Sequence, residues 1–137
     1  MIPLSVIAVS GVLGLAAIAH DEEPVEPEVA FPLTASALAG GVELRLGIRE
    51  GYYLYANRFR VDAPGLPGAE LRIPAGVEKD DAFVGKSRIL KGDVALLLSV
   101  PSSITPGEYE IRVTAQGCAE QRVCYAPFTQ SVRVRLP

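Results

Sequence analysis

Residues 109–136 read YEIRVTAQGCAEQRVCYAPFTQSVRVRL, two alternating runs closed around the only two cysteines of the chain. In the run from Tyr109 to Ala115, Tyr109, Ile111 and Val113 share one face; in that from Gln130 to Leu136, Val132, Val134 and Leu136 do. A period of two with polar residues between marks half-buried strands. Five residues separate Cys118 from Cys124, so a short loop brings the pair back side by side on neighbouring strands. Opposed residues of an antiparallel pair have Cα atoms about 4.5–5.5 Å apart, which overlaps the range a disulfide spans. A bond is geometrically easy, and it could serve as a staple or as a redox reagent.

The same period recurs upstream. Val42, Leu44, Leu46 and Ile48 alternate with Glu43, Arg45, Gly47 and Arg49 after the turn dipeptide Gly40-Gly41. Phe31 to Leu38, Tyr52 to Tyr55, Phe59 to Val61, Leu71 to Ile73 and Val94 to Val100 are further short strands. Glu50-Gly51, Asp62 to Gly68, Pro74, Pro101 and Pro106-Gly107 punctuate them. Beyond the first segment no stretch shows a sustained helical period. Seven or more short strands with turns every 8–12 residues or so predict an all-β, immunoglobulin-like β-sandwich over residues 29–137. The chain has no Trp and its cysteines are close in sequence, so its disulfide is not the inter-sheet bond of antibody domains.

Residues 1–19 contain no charged side chain, and Ala17-Ile18-Ala19 precedes the polar His20-Asp21-Glu22-Glu23. That pattern predicts an export signal with its cleavage site, the alternative being an uncleaved membrane anchor. Either way the domain is expected outside the cytoplasm, where disulfides persist. Residues 20–28, acidic and proline-punctuated, read as an extended linker. From Phe31 onward 11 acids face 13 bases, too mild and too mixed a charge for nucleic-acid binding.

Absences narrow the chemistry. The single histidine, His20, lies at the export boundary, so the domain can form neither a His-dependent triad nor a His-based zinc site. Two cysteines cannot make a four-thiolate site, and no Gly-rich phosphate loop is present. No metal or cofactor is expected. Asp80-Asp81, Glu108 and Glu110 read as solvated edges. That leaves the thiols. Closing a seven-residue loop removes chain entropy worth only about 2.4 kcal/mol, against roughly 4.7 kcal/mol for a 100-residue loop. As a staple the pair is poorly placed, yet spacing does not set a reduction potential. The loop of Ala119, Glu120, Gln121 and Arg122 is expected to be exposed, with Arg122 favouring a thiolate and Glu120 opposing it.

Three stretches together resemble the N-terminal periplasmic domain of the thiol:disulfide interchange protein DsbD. They are Glu50-Gly51-Tyr52-Tyr53-Leu54-Tyr55, Asp80-Asp81-Ala82-Phe83-Val84-Gly85-Lys86-Ser87, and Gln116-Gly117-Cys118 through Cys124-Tyr125-Ala126-Pro127. The resemblance implies an immunoglobulin-like domain whose cysteines shuttle between dithiol and disulfide, as a component of a protein-disulfide reductase. It implies electrons arriving from a membrane-linked thioredoxin-like donor. They would leave to periplasmic oxidoreductases such as disulfide isomerases and cytochrome c maturation thioredoxins. Carried over by position, Cys124 forms the mixed disulfide and Cys118 resolves it. Asp81 to Gly85 matches a cap loop in which Phe83 covers the sulfurs, and Tyr53, Tyr55 and Tyr125 flank the pair in supporting roles. Ala82 stands where a second acid is usual, and Ala126 where a proline is. The chain carries neither a membrane electron-transfer domain nor a C-X-X-C domain after Pro137, the pattern of a fragment or of a stand-alone relative. The rival reading from another class is a non-catalytic immunoglobulin-like binding module with a structural hairpin disulfide.

Overall fold

The computed structural model describes residues 23–137, and Gly11 alone among those before them; the expected signal and the cleavage site lie outside the described residues. Among the described residues twelve strands follow one helical turn. They are β1 Leu33–Leu38, β2 Gly41–Gly47, β3 Tyr52–Tyr55, β4 Arg60–Asp62, β5 Glu70–Arg72, β6 Val77–Asp81, β7 Gly85–Leu90, β8 Asp93–Ser99, β9 Gly107–Ala115, β10 Gly117–Ala119, β11 Val123–Cys124 and β12 Phe128–Leu136. Every pairing is antiparallel. One sheet runs β1-β2-β8-β5, a second β11-β10-β3-β7-β6, a third β12-β9-β4. β9 passes into β10 through Gln116 alone, so the second and third sheets share one nearly continuous strand run. The result is the all-β, immunoglobulin-like sandwich that the alternation predicts.

The alternating residues do what their period requires. Val42, Leu44 and Leu46 from β2, Val94, Leu96 and Leu98 from β8, Ile111 and Val113 from β9, and Val134 and Leu136 from β12 meet in one core. The polar residues between them face water. Tyr109, at the start of β9, donates its hydroxyl proton to the Thr105 carbonyl four residues back, the tyrosine-corner arrangement of immunoglobulin-like sandwiches.

Two segments differ from the sequence expectation. Pro27–Ala30 forms one α-helical turn where the linker was expected to give way directly to a strand. Pro at its start needs no intrahelical N–H partner, and the turn drives Ala30 and Phe31 into full burial. Phe31 stacks on Phe128 at 5.3 Å and meets Tyr52 and Tyr125 edge-on. Val25, inside the expected linker, is strapped to the domain: its N–H donates to the Tyr52 hydroxyl and its carbonyl accepts from Tyr125. The second difference is the hairpin β6–β7. Val77 is the lone apolar side chain of β6, so no period announces it; the cross-strand ladder Val77↔Ile89 to Asp81↔Gly85 holds it instead.

Candidate active site

β3 is buried at all four positions, and its two faces serve different cores. Tyr52 and Leu54 enter the main core with Leu90 and Ala119. Tyr53 and Tyr55 point the other way and gather with Ile89 and Cys118 into a small separate cluster, against which Cys124 packs. Strand alternation alone enforces the division. The register Cys118↔Tyr53 on one side of β10 and Cys118↔Cys124 on the other puts the cysteines and Tyr53 on one face of the second sheet. Gly117 precedes them because nothing larger fits: a Cβ there would stand 2.2 Å from the Tyr53 carbonyl oxygen.

Cys118 and Cys124 are bonded, with Cα atoms 4.0 Å apart. Tyr125 N–H donates to Gly117 O beside them, which leaves the cysteines as a non-hydrogen-bonded pair, the closer kind. Their environments are unequal. Cys118 is fully buried on a strand paired on both sides, whereas Cys124 is partly exposed on the two-residue edge strand β11. The loop between them is less open than the sequence suggests, since Ala119 is fully buried in the main core. Gln121 at the loop tip adopts a left-handed backbone, φ 59°.

A chain of polar contacts runs from the sulfurs to the β6–β7 turn. The Tyr55 hydroxyl lies 3.1 Å from Cys118 Sγ and 3.5 Å from Cys124 Sγ; disulfide sulfurs carry no proton, so Tyr55 donates. Tyr55 packs edge-on against Tyr53 at 5.6 Å, and the Tyr53 hydroxyl donates to Asp81 Oδ2. Asp81 Oδ1 accepts from the N–H groups of Phe83, at 2.7 Å, and Val84, at 3.0 Å. Burial raises the pKa of both tyrosines, so they remain phenols and proton donors. Burial alone would also raise the Asp81 carboxyl. The donors from Tyr53, Phe83 and Val84 outweigh it and hold Asp81 below the usual carboxylate range. The expectation that Asp81 is a solvated edge residue is therefore corrected: it is only 4% exposed, and its charge is met by fixed donors. Asp80 beside it is exposed as expected.

The cap-loop residues form the three-residue turn of the β6–β7 hairpin. Asp81 holds the turn from inside, and Gly85 takes the left-handed conformation, φ 77°, that such a turn needs at its end. Phe83 sits at the tip with 52% of its surface exposed, and Val84 beside it is 40% exposed. Cys118, Cys124, Tyr53, Tyr55 and Asp81 thus converge. Tyr125 does not: it alternates away from Cys124 and packs on the main core with Phe31 and Tyr52. Burial, first, and the neighbouring Tyr52 push its phenol up to about 12.

Charges surround the site, and two of them, Arg58 and Lys79, the sequence did not connect to it. The Arg58 guanidinium lies 5.1 Å from the Tyr55 ring centre and Lys79 Nζ 5.4 Å from that of Tyr53, cations over π faces. Glu120, expected to oppose a thiolate, is instead neutralised by Lys79 and Lys91 at 3.3 and 3.2 Å. Arg122 extends over the Tyr52 ring, 6.0 Å from its centre, on the main-core side of β3 rather than the sulfur side. Lys79 could have been suspected from sequence, since it precedes Asp81 by two residues and so shares its face. Among the described residues no cluster of three or more His, Cys, Asp and Glu side chains could hold a metal ion.

The family described as "Thiol:disulfide interchange protein DsbD, N-terminal" matches residues 21–136. The chain belongs to that family. Thiol:disulfide interchange proteins DsbD from Tatumella citrea and Ralstonia nicotianae are 34% and 36% identical to it over 75% and 79% of the chain. The chain spans 18% of the length of each. Among solved structures, the reduced DsbD N-terminal domain of Neisseria meningitidis superposes with a TM-score of 0.72 at 26% identity, covering 81% of this chain and 89% of that one. The DsbD N-terminal domain in complex with the PilB N-terminal domain, also from Neisseria meningitidis, gives 0.63 at 26% identity over 80% and 86%.

Proposed function

We propose that the domain is a periplasmic thiol:disulfide exchange module that relays electron pairs through Cys118 and Cys124 between thioredoxin-like proteins. The observation that carries the reading is the position of the bond. It lies outside the main core, against Tyr55, with one sulfur on a central strand and the other on an exposed edge strand. A staple would add most by joining distant elements of the core; this bond joins adjacent strands on the opposite face. Family membership and the solved complex of a related domain with a second protein support the same reading. They favour it over a non-catalytic binding module.

Loading begins when a donor thiolate attacks Cys124 Sγ. The Cys118–Cys124 bond breaks, Cys118 leaves as a thiolate, and the donor's second thiol resolves the mixed disulfide. Two electrons and two protons pass to the domain, and the donor becomes a disulfide. Unloading reverses the roles: Cys124 attacks the acceptor's disulfide and Cys118 resolves. Tyr55 is placed to donate to the sulfur that gains charge. Arg58, over the Tyr55 ring, adds positive potential on the same side. Phe83, at the tip of the turn fixed by Asp81 and Gly85, acts as the cap that a docking partner displaces.

Trapping tests the roles. Cys118→Ser is expected to accumulate a mixed disulfide through Cys124 with a thioredoxin-like partner from periplasmic extract. An adduct with Cys124→Ser but not with Cys118→Ser would reverse the assignment. No adduct from either variant, with a potential below about −300 mV, is the signature of a structural bond.

A further inference from the structure

We propose that Glu120 is a positioning residue that latches the β6–β7 hairpin over the disulfide and so sets the discrimination between small thiols and protein partners. The inference rests on the exchange function proposed above. β6 and β10 are separated in the second sheet by β7 and β3. Three strand spacings amount to about 14 Å in a flat sheet. Yet Lys79, on β6, reaches Glu120, the residue after β10, at 3.3 Å. Asp81, also on β6, reaches Tyr53 on β3. Both contacts cross the intervening strands on the face that carries the sulfurs, and together they tie the hairpin to it. One is the buried Asp81–Tyr53 bond near the turn. The other is the ion pair at the middle of β6, where Lys79 also lies over the Tyr53 ring.

Glu120 is suited to be the fixed half of this latch. Its N–H donates to the Gly51 carbonyl at 2.8 Å, which ties the start of the cysteine loop to the turn before β3. Its carboxylate is shared between Lys79 and Lys91, at 3.3 and 3.2 Å. Lys91 directly follows the last residue of β7, so β6 and the end of the hairpin's second strand are pinned to the one carboxylate. Glu120 is two residues from Cys118, and the pin therefore acts where the bond is made and broken. The partners are partly solvated, so the latch is weak, salt-sensitive and easily exchanged for contacts to a docking protein. A small thiol has no such contacts to offer and meets the closed hairpin.

The test is the rate at which monothiols in excess reduce the oxidised domain, taking it to the dithiol while two thiols become one disulfide. Two thiols of opposite charge are used: cysteamine, cationic, and mercaptoethanesulfonate, anionic. An unlatched hairpin exposes the sulfurs to both, so Glu120→Gln is expected to raise both rate constants about two- to fivefold, the range of such exposed pairs. Lys79→Gln should act alike, and the double variant should add little to either. Raising the ionic strength should accelerate the wild type toward the Glu120→Gln rate with both thiols. Glu110→Gln, which removes a comparable surface pair with Arg112 on β9, should leave both rates unchanged. Rates that move in opposite directions for the two thiols would mean that Glu120 acts through its charge on the reagent; unchanged rates would mean that it holds nothing. Either result overturns the latch. A failure of the relay itself would appear separately, as absence of adducts with protein partners while these small-thiol rates still respond.

Discussion

At Asp81 one carboxylate receives three donors, from the Tyr53 hydroxyl and the Phe83 and Val84 amides, while almost wholly buried. Asp81→Ala leaves those donors without a partner and is expected to cost about 3 kcal/mol in urea unfolding, the scale for unsatisfied buried groups. Because the folded carboxyl is held low, its contribution is fully present above the unfolded-state value near 3.9. It is lost as pH falls through the lower folded value. Wild type should therefore lose stability more steeply than Asp81→Asn below about pH 4, measured by denaturation midpoints against pH. Tyr55 gives a prediction on the chemistry. Its hydroxyl is the donor beside both sulfurs, and a hydrogen bond to a thiolate lowers the thiol's pKa. Losing about 1 kcal/mol there raises that pKa by roughly 0.7 and slows alkylation of the reduced domain near neutrality about fivefold. Iodoacetamide kinetics on Tyr55→Phe across pH check this.

The β6–β7 hairpin and the cysteine loop are both elements whose turns depend on left-handed residues. Gly85 sits at φ 77° with no described atom within 4 Å of a Cβ placed on it, so Gly85→Ala meets conformational strain and no clash. A loss of roughly 1–2 kcal/mol is expected, read by chemical denaturation. Gln121 holds φ 59° with a side chain; Gln121→Gly trades that strain against extra freedom in the unfolded chain. It should stabilise by up to about 1 kcal/mol. These elements were unequally legible in the sequence. β2, β8, β9 and β12 announce themselves through strict alternation over a one-sided core. The hairpin does not, because Val77 is its first strand's lone apolar residue and its stability lies in backbone ladder bonds, Asp81 and the ion pair to Glu120. Its importance was visible only through resemblance. Glu120 was misjudged for a related reason: spacing along the chain cannot reveal the two lysines that strand pairing brings to it.

At the scale of the whole molecule, two apolar clusters among the described residues back onto one strand, and they differ greatly in size. The main core draws on all three sheets, while the disulfide belongs to the smaller cluster. Reduction is therefore expected to leave the domain folded, lowering its stability by about 2.4 kcal/mol or less, the entropy of a seven-residue loop. Denaturation with and without reductant measures it. The sandwich was legible from alternating runs and turn spacing. The division into two clusters was not, although Tyr52-Tyr53-Leu54-Tyr55 is its trace: four large apolar-bodied residues in a row state that both faces of a strand are covered, but not by what. The unequal seats of the cysteines have a consequence in time. Amides of β3 and β10, flanked by strands on both sides, belong among the slowest to exchange with deuterated solvent, and those of edge strand β11 among the quicker. Once the bond is cut, Cys118 stays registered to the rigid interior while Cys124 is free to swing on the microsecond-scale fluctuations of an edge. One sulfur then keeps position as the other goes out to meet its partner.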